Sequence, residues 1–147
     1  MRQTRRPDLP HADLTDRILA GFFETYGELG HGFSDQVLCR ALAIVLRMAG
    51  LSVLEEAHLD VWFRGQCMGR FRADLIVDRT ILIEVKGMAE LKSHAEAQLI
   101  NYLKAAGGGV GLLLNFGHEP KFKRMVVGDP LNSLPVLRQP ATAPAER

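Results

Sequence analysis

Apolar positions change their period twice along this chain, and the changes divide it into elements. Ile18, Leu19, Phe22, Phe23, Tyr26 and Leu29 recur at helical spacing, with Asp13 or Thr15 placed to cap the helix and Gly30 to end it. Val37, Leu38, Ala41, Leu42, Val45 and Leu46 form a second helical stripe, which predicts a helix from about Phe33 to Ala49, capped by Ser34 and stopped by Gly50. The period then shortens. Leu51 to Glu56 and Leu59 to Arg64 read as two strands, and Arg64-Gly65-Gln66 as a hairpin turn into a third, about Met68 to Val77. Asp78-Arg79-Thr80 leads into a fourth strand, Ile81 to Lys86. Helical spacing returns from Glu90 to Ala106 through Leu91, Ala95, Leu99, Tyr102 and Leu103, and Gly107-Gly108-Gly109 ends it. Val110 to Asn115 reads as a buried strand and Arg124 to Val127 as a strand at the edge. Helices, strands and then a helix between strands make an α/β chain.

Composition narrows the classes. A chain of 147 residues with 47% hydrophobic content suits one domain with one continuous core. No stretch reaches the ~18 apolar residues that span a bilayer, so no membrane partner is expected. Arg5-Arg6 lies in a polar start, Met1 to Pro10, that no apolar stretch follows, which argues against a secretory or twin-arginine leader and for a cytoplasmic protein. Residues 1–12 read as a basic flexible arm, 13–128 as the domain, and 129–147, with Pro130, Pro135, Pro140 and Pro144, as a tail. Cys39 and Cys67 are far apart and suggest neither a disulfide framework nor a zinc knuckle. Net charge is +1, so any nucleic-acid affinity depends on where Lys and Arg sit.

The chemistry concentrates between Arg72 and Lys86. If a tight turn near Arg79 joins two antiparallel strands, residues whose numbers sum to about 158 face one another, and Asp74 and Glu84 satisfy that sum. Opposed residues on one face have Cβ atoms ~4.5–5.5 Å apart. Lys86, two residues on, shares that face, while Ala73, Leu75, Val77, Ile83 and Val85 take the other. Two carboxylates side by side suit Mg2+ or Mn2+, with the Val85 carbonyl as a further ligand and Lys86 placed to orient a water or offset developing charge. Taken alone, the trio also fits a cross-strand salt-bridge cluster. The apolar flanks weigh against that, because charges buried in such strands need a partner or a metal.

Asp74 with Glu84-Val85-Lys86 resembles the PD-(D/E)XK nuclease superfamily, and the wider chain is similar to the small bacterial GxxExxY family within it. The resemblance spans about Asp13 to Val127. It takes in Glu28-Leu29-Gly30, Gly65, Arg72-Ala73-Asp74-Leu75, Ile83-Glu84-Val85-Lys86, His94, Ala97-Gln98-Leu99, Asn101-Tyr102-Leu103, Gly111-Leu112-Leu113 and Asn115-Phe116-Gly117. It implies a three-layer αβα sandwich with a central mixed β-sheet, restriction-endonuclease-like, that hydrolyses phosphodiester bonds in nucleic acid, DNA ahead of RNA, with Mg2+ or Mn2+. The implied metal ligands are Asp74, Glu84, Val85 and Asp35, with Lys86 beside them in catalysis. Gln98 and Tyr102, four apart on one helix face, match the Gln-x-x-x-Tyr motif of the RecB-like branch and imply substrate contacts, joined by Arg72 and His94. The motif that names the family departs here, because Gly32-Phe33-Ser34-Asp35-Gln36-Val37-Leu38 has Asp35 for Glu and Leu38 for Tyr. Asp35 keeps the charge on a shorter arm, and it also fits an exposed acid favoured by the helix dipole.

Other signals are set aside. Gly107 to Gly111 follows a helix and precedes a strand, the reverse of a phosphate-binding glycine loop. Trp62 and Phe63 in a hairpin read as core and edge. The alternatives to an active nuclease are a weakened nuclease-fold module that binds nucleic acid or a protein partner, and a homodimer that uses the hairpin Trp62 to Arg70 as its interface.

Overall fold

Ser34 starts the second helix as its sequence requires: the hydroxyl accepts the Val37 N–H at 3.2 Å, and Gly50, at φ 91°, turns the chain out after the helix. The structure, a computed structural model, describes residues 9–130 and Leu134. Its elements are α1 (Ala12–Leu29), α2 (Asp35–Met48), β1 (Val53–Phe63), β2 (Gln66–Val77), β3 (Ile81–Lys86), α3 (Ser93–Ala105), β4 (Gly108–Phe116) and β5 (Pro120–Gly128). The sheet order is β1-β2-β3-β4-β5. Among the described strands only β3 and β4 run parallel, and α3 is the crossover that this pairing demands.

The three-layer sandwich with a mixed sheet is therefore present. Ile18, Phe22, Leu38, Leu42 and Leu46 of α1 and α2 pack on Leu75, Val77, Ile83, Val85, Leu112 and Leu114. Leu99 and Leu103 of α3 pack on the opposite face with Leu59, Ala73, Ile76, Leu82 and Leu113. β4 is buried over its whole length, as expected of a strand covered on both faces. Gly111 lets α3 close on it, because a Cβ there would stand 3.0 Å from the Leu99 side chain and 3.1 Å from that of Leu103.

Several elements differ from the sequence expectation. The caps expected at Asp13 or Thr15 fall instead on His11, which has no side-chain cap bond. The Thr15 hydroxyl donates back to the His11 and Ala12 carbonyls at 3.2 and 3.1 Å. α3 starts at Ser93 rather than Glu90, since Leu91 continues the apolar pattern from a loop. The glycine run both ends α3 and opens β4, and β5 is longer than its apolar core suggests.

The two strands expected over 51–64 are one continuous β1 with a defect inside it. Glu56 has φ 53°. Pairing skips from Glu55–Leu75 to Ala57–Ala73, leaving Glu56 and Asp74 between them out of the ladder. The face presented by alternate residues switches at this point. Val53, Leu75 and Val77 lie in the α1–α2 core, whereas Ala57, Leu59 and Ala73 lie under α3. Ala73 therefore does not share a face with Leu75 and Val77, because the strict period of two is broken at Asp74.

Beyond the switch, β1 and β2 continue as a two-stranded ribbon closed by Arg64-Gly65, both at positive φ (51° and 79°). Trp62 and Phe63 are 59% and 57% exposed there, not core and edge. The expected arm (1–12) and tail (129–147) lie largely outside the described residues. Leu134 is described: it is buried in the α3-side core, and its N–H donates to the Arg79 carbonyl at 2.9 Å.

Candidate active site

The sum rule for Asp74 and Glu84 holds up to the last pair before them. β2 and β3 pair as Val77–Ile81, Ile76–Leu82 and Leu75–Ile83, and the ladder stops there. In place of the next backbone partner, the Asp74 carboxylate accepts the Val85 N–H at 2.8 Å. This fixes the carboxylate in the gap where β2 leaves β3. Within a strand a residue's N–H and C=O point to the same edge, so the Val85 carbonyl faces that gap as well. The Val85 side chain lies in the α1–α2 core.

Glu84 is buried (4% exposed). Its carboxyl is pushed up to about 9, first by burial, then by the charge of Asp74 and a hydrogen bond with it, while Lys86 pulls it down. Glu84 thus keeps its proton at neutral pH in the metal-free fold, and Lys86, half-buried on the same strand, is a cation near it. That donor set fits a divalent cation. It offers hard oxygen ligands held by strands, and a cation there would take the place of the proton on Glu84.

α3 brings two more expected residues to this face. Tyr102 is held up by its own burial and then by the charges of Glu84 and Asp74, and it shares a hydrogen bond with Gln98 that pulls the other way. Its ring stacks on Phe71 of β2, with centroids 4.0 Å apart and planes 11° off parallel. The Gln98–Tyr102 spacing therefore becomes one patch beside the acidic pair.

The remaining expected residues lie further out. Asp35, in the first turn of α2, is exposed, and its Oδ1 would stand 3.2 Å from a Cβ on residue 87. It lies against the backbone just past Lys86, where a side chain on residue 87 would crowd it. Leu38, where the expected motif has Tyr, is fully buried in the core. Arg72 is exposed, 3.7 Å from Glu56, and His94 is exposed at the start of α3. Among the described residues, no three Asp, Glu, His or Cys side chains form a group able to hold a metal ion.

Three residues shape the site without having been singled out for it. Phe71 seats Tyr102. Cys39 of α2 lies behind Asp74, its Sγ 3.8 Å from the Asp74 carbonyl. Burial and the surrounding carboxylates, Asp74 foremost, push this thiol up to about 12. Asn115, buried at 1% exposure, accepts the Met88 N–H and donates to the Met88 carbonyl, both at 2.9 Å. It pins the loop that follows Lys86. An amide inside the otherwise apolar Leu112-Leu113-Leu114-Asn115-Phe116 is a readable signal for such a role. A groove of about 500 Å3 opens beside this loop, lined by Leu91, Asn115, His118, Lys121 and Lys123 among others, and it does not include the acidic pair.

A family model described as PD-(D/E)XK nuclease superfamily matches residues 12–125. No curated protein matches the chain. A solved structure titled "Crystal structure of SSO0001" is similar at 22% identity and a TM-score of 0.48 over 65% of this chain. The match covers 50% of that structure's chain, so the present chain spans about half its length.

Proposed function

This chain belongs to the PD-(D/E)XK nuclease superfamily, and from that premise we propose that it is a Mg2+- or Mn2+-dependent nuclease that hydrolyses phosphodiester bonds in DNA. One observation carries the reading. Buried Glu84 and half-buried Asp74 are held together at a strand end with Lys86 beside them, and burial leaves the Glu84 carboxyl in need of a proton or a cation.

Asp74, Glu84 and the Val85 carbonyl would hold the cation, and Asp35 stands at the rim. When bound, the metal supplies positive charge at the scissile phosphate and makes a water easier to deprotonate. The protein's own groups do the rest. The Val85 N–H fixes the orientation of Asp74 before substrate arrives. Lys86 orients the attacking water and offsets charge that grows on the phosphate oxygens. Tyr102 and Gln98, backed by Phe71, bind the substrate strand next to the scissile bond, with Arg72 and His94 further out. Water adds to phosphorus, the P–O ester bond breaks, and a proton passes to the leaving oxygen, giving a phosphate end and a hydroxyl end. We infer membership of the GxxExxY branch, with Asp35 and Leu38 as this chain's departures from it. The reading places the chain in the cytoplasm. No described helix is long and apolar enough to cross a membrane.

Calorimetry with Mg2+ or Mn2+ and cleavage of single-stranded, duplex and branched DNA test the proposal together. Glu84→Ala should abolish metal binding and cleavage. Lys86→Ala should keep metal binding and lose ~10²–10³ in rate, the cost typical of removing one charge-stabilising group. Asp35→Ala should cost less than either, since its carboxylate sits at the rim. Cleavage retained in both Glu84→Ala and Lys86→Ala would sink the mechanism. Nucleic-acid binding without turnover in the native chain would favour the weakened, non-enzymatic module.

A further inference from the structure

The strand that carries Asp74 does not end at the site. β3 pairs with β2 only over Leu75–Val77, whereas β1 and β2 pair onward to Phe63–Gln66. From Asp74 outward, neither strand has a further ladder partner among the described strands, and beyond Leu59 and Phe71 neither has a core to pack on. At ~3.3 Å per residue, the turn at Arg64-Gly65 stands up to ~30 Å from the acidic pair. Every residue from Trp62 to Arg70 is exposed. Such a ribbon is marginal by itself, and evolution normally keeps its surface polar. This one carries Trp62, Phe63 and Met68 at 59%, 57% and 57% exposure.

The placement of these groups is specific. By strand alternation Phe63 lies on the face of Leu59 and Phe71, the face that leads back to Tyr102, and Trp62 lies on the other with Asp60 and Arg70. The pairing shifts between Val61 and Trp62, which adds twist just below the tip. Arg64 lies 5.2 Å over the Phe63 ring. From Glu56 to Arg72 three arginines stand with two acids, and two of the three are paired, Arg70 with Asp60 at 3.0 Å and Arg72 with Glu56 at 3.7 Å. The ribbon is thus a weakly basic arm, with Arg64 at its tip and aromatic side chains beside it.

We propose that this arm is a binding platform for single-stranded nucleic acid, on which Trp62 and Phe63 stack unpaired bases and the arginines follow the phosphates toward the acidic pair. The proposal rests on the nuclease reading for its direction and names the substrate class of that site: a strand with unpaired bases, free or at the junction of a duplex. Aromatic side chains interleaved with positive charge are what single strands need, because every base has a face to stack and a phosphate to neutralise. Bases inside a duplex are already stacked and would gain nothing from the aromatics. A second copy of the chain fits less well, since each arm carries a net positive charge and would meet its like.

Trp62 is the protein's single tryptophan, so its emission reports on the arm alone. The experiment titrates a labelled oligothymidine of about twelve nucleotides, and a blunt duplex of similar length, into the full chain in EDTA. Tryptophan emission and oligonucleotide anisotropy are read together, over a range of salt. The expected result is saturable quenching by the single strand that weakens with salt, at least tenfold weaker binding of the duplex, and at least tenfold weaker single-strand binding by Trp62→Ala/Phe63→Ala. Trp62→Phe should retain most of the affinity. Anisotropy change with constant emission, or an unchanged affinity in the double variant, would overturn the platform and leave the nuclease site standing. Equal binding of the duplex with equal quenching would overturn the single-strand assignment. Emission that shifts with protein concentration alone, with dimers in sedimentation, would make the arm a self-interface instead. No binding of either DNA also overturns it, and metal titration of the native chain then judges the nuclease reading separately. Conversely, quenching by the single strand in a chain that binds no metal would keep the platform and discard the nuclease.

Discussion

Glu84 shows how one residue's surroundings set both its chemistry and its cost. An ordinary glutamate releases its proton near 4.5, and this one keeps it to about 9. Between those pH values the unfolded chain gives up a proton that the folded chain retains. The metal-free fold therefore loses stability as pH rises through that window and is level above it. Glu84→Gln keeps the hydrogen-bonding shape without the ionisation, so its advantage over the native chain should be absent near pH 5 and should widen toward pH 9. Thermal unfolding in EDTA across that range checks this. A gap that does not widen would mean that Glu84 ionises freely beside Asp74. Metal binding should close the gap, because a cation stabilises the charged native pair that Gln cannot form.

At the scale of elements, the site is a place where regular structure stops. β2 and β3 part at Asp74, β1 breaks at Glu56, and the loop after β3 is held by Asn115 instead of a ladder. Each irregularity is bounded by well-packed segments: Leu75 to Val77 on one side, Ile81 to Ile83 beside it, and β4 along the far edge of β3. Asn115→Ala would leave the Met88 N–H and C=O without their partner, at a cost of ~1–3 kcal/mol for each buried group that water fails to reach. The expected outcome is a folded protein with a lower Tm, faster proteolytic nicking between residues 87 and 92, and reduced cleavage from a misplaced Lys86. Unchanged nicking would show that the loop is held by something other than this clamp.

Over the whole molecule, the core and the arm are separable. Neither core cluster contains a buried residue between Asp60 and Arg70. Replacing residues 61–69 by Asn-Gly, a two-residue turn suited to the Asp60–Arg70 pair, should therefore leave cooperative unfolding with a Tm within a few degrees of native. Circular dichroism and calorimetry would check it. A large loss of Tm would show that the arm contributes to folding, and its exposed aromatics would then need a structural explanation.

Sequence alone determined the parts that local chemistry fixes. The period of apolar residues placed α2, β3 and β4 close to their observed bounds, because burial on one face forces period 3.6 and burial on two faces forces a continuous apolar run. Ser34 and Gly50 marked the ends of α2 by backbone requirements that few other residues meet. The turn at Asp78 to Thr80 set the register, and with it the meeting of Asp74 and Glu84. Tertiary structure decided what period and spacing cannot carry. The face switch at Glu56 and Asp74 is invisible to a strict alternation, since a positive φ at a glutamate has no pattern in the sequence. It moved Ala73 under α3. The seating of Tyr102 on Phe71 depends on the close approach of α3 over Gly111, a contact between segments far apart in the chain. The exposure of Trp62 and Phe63 followed from where β3 stops pairing with β2. Aromatic residues in a strand read as core unless the neighbouring layers are known to end before them, and that is a property of the assembled sheet.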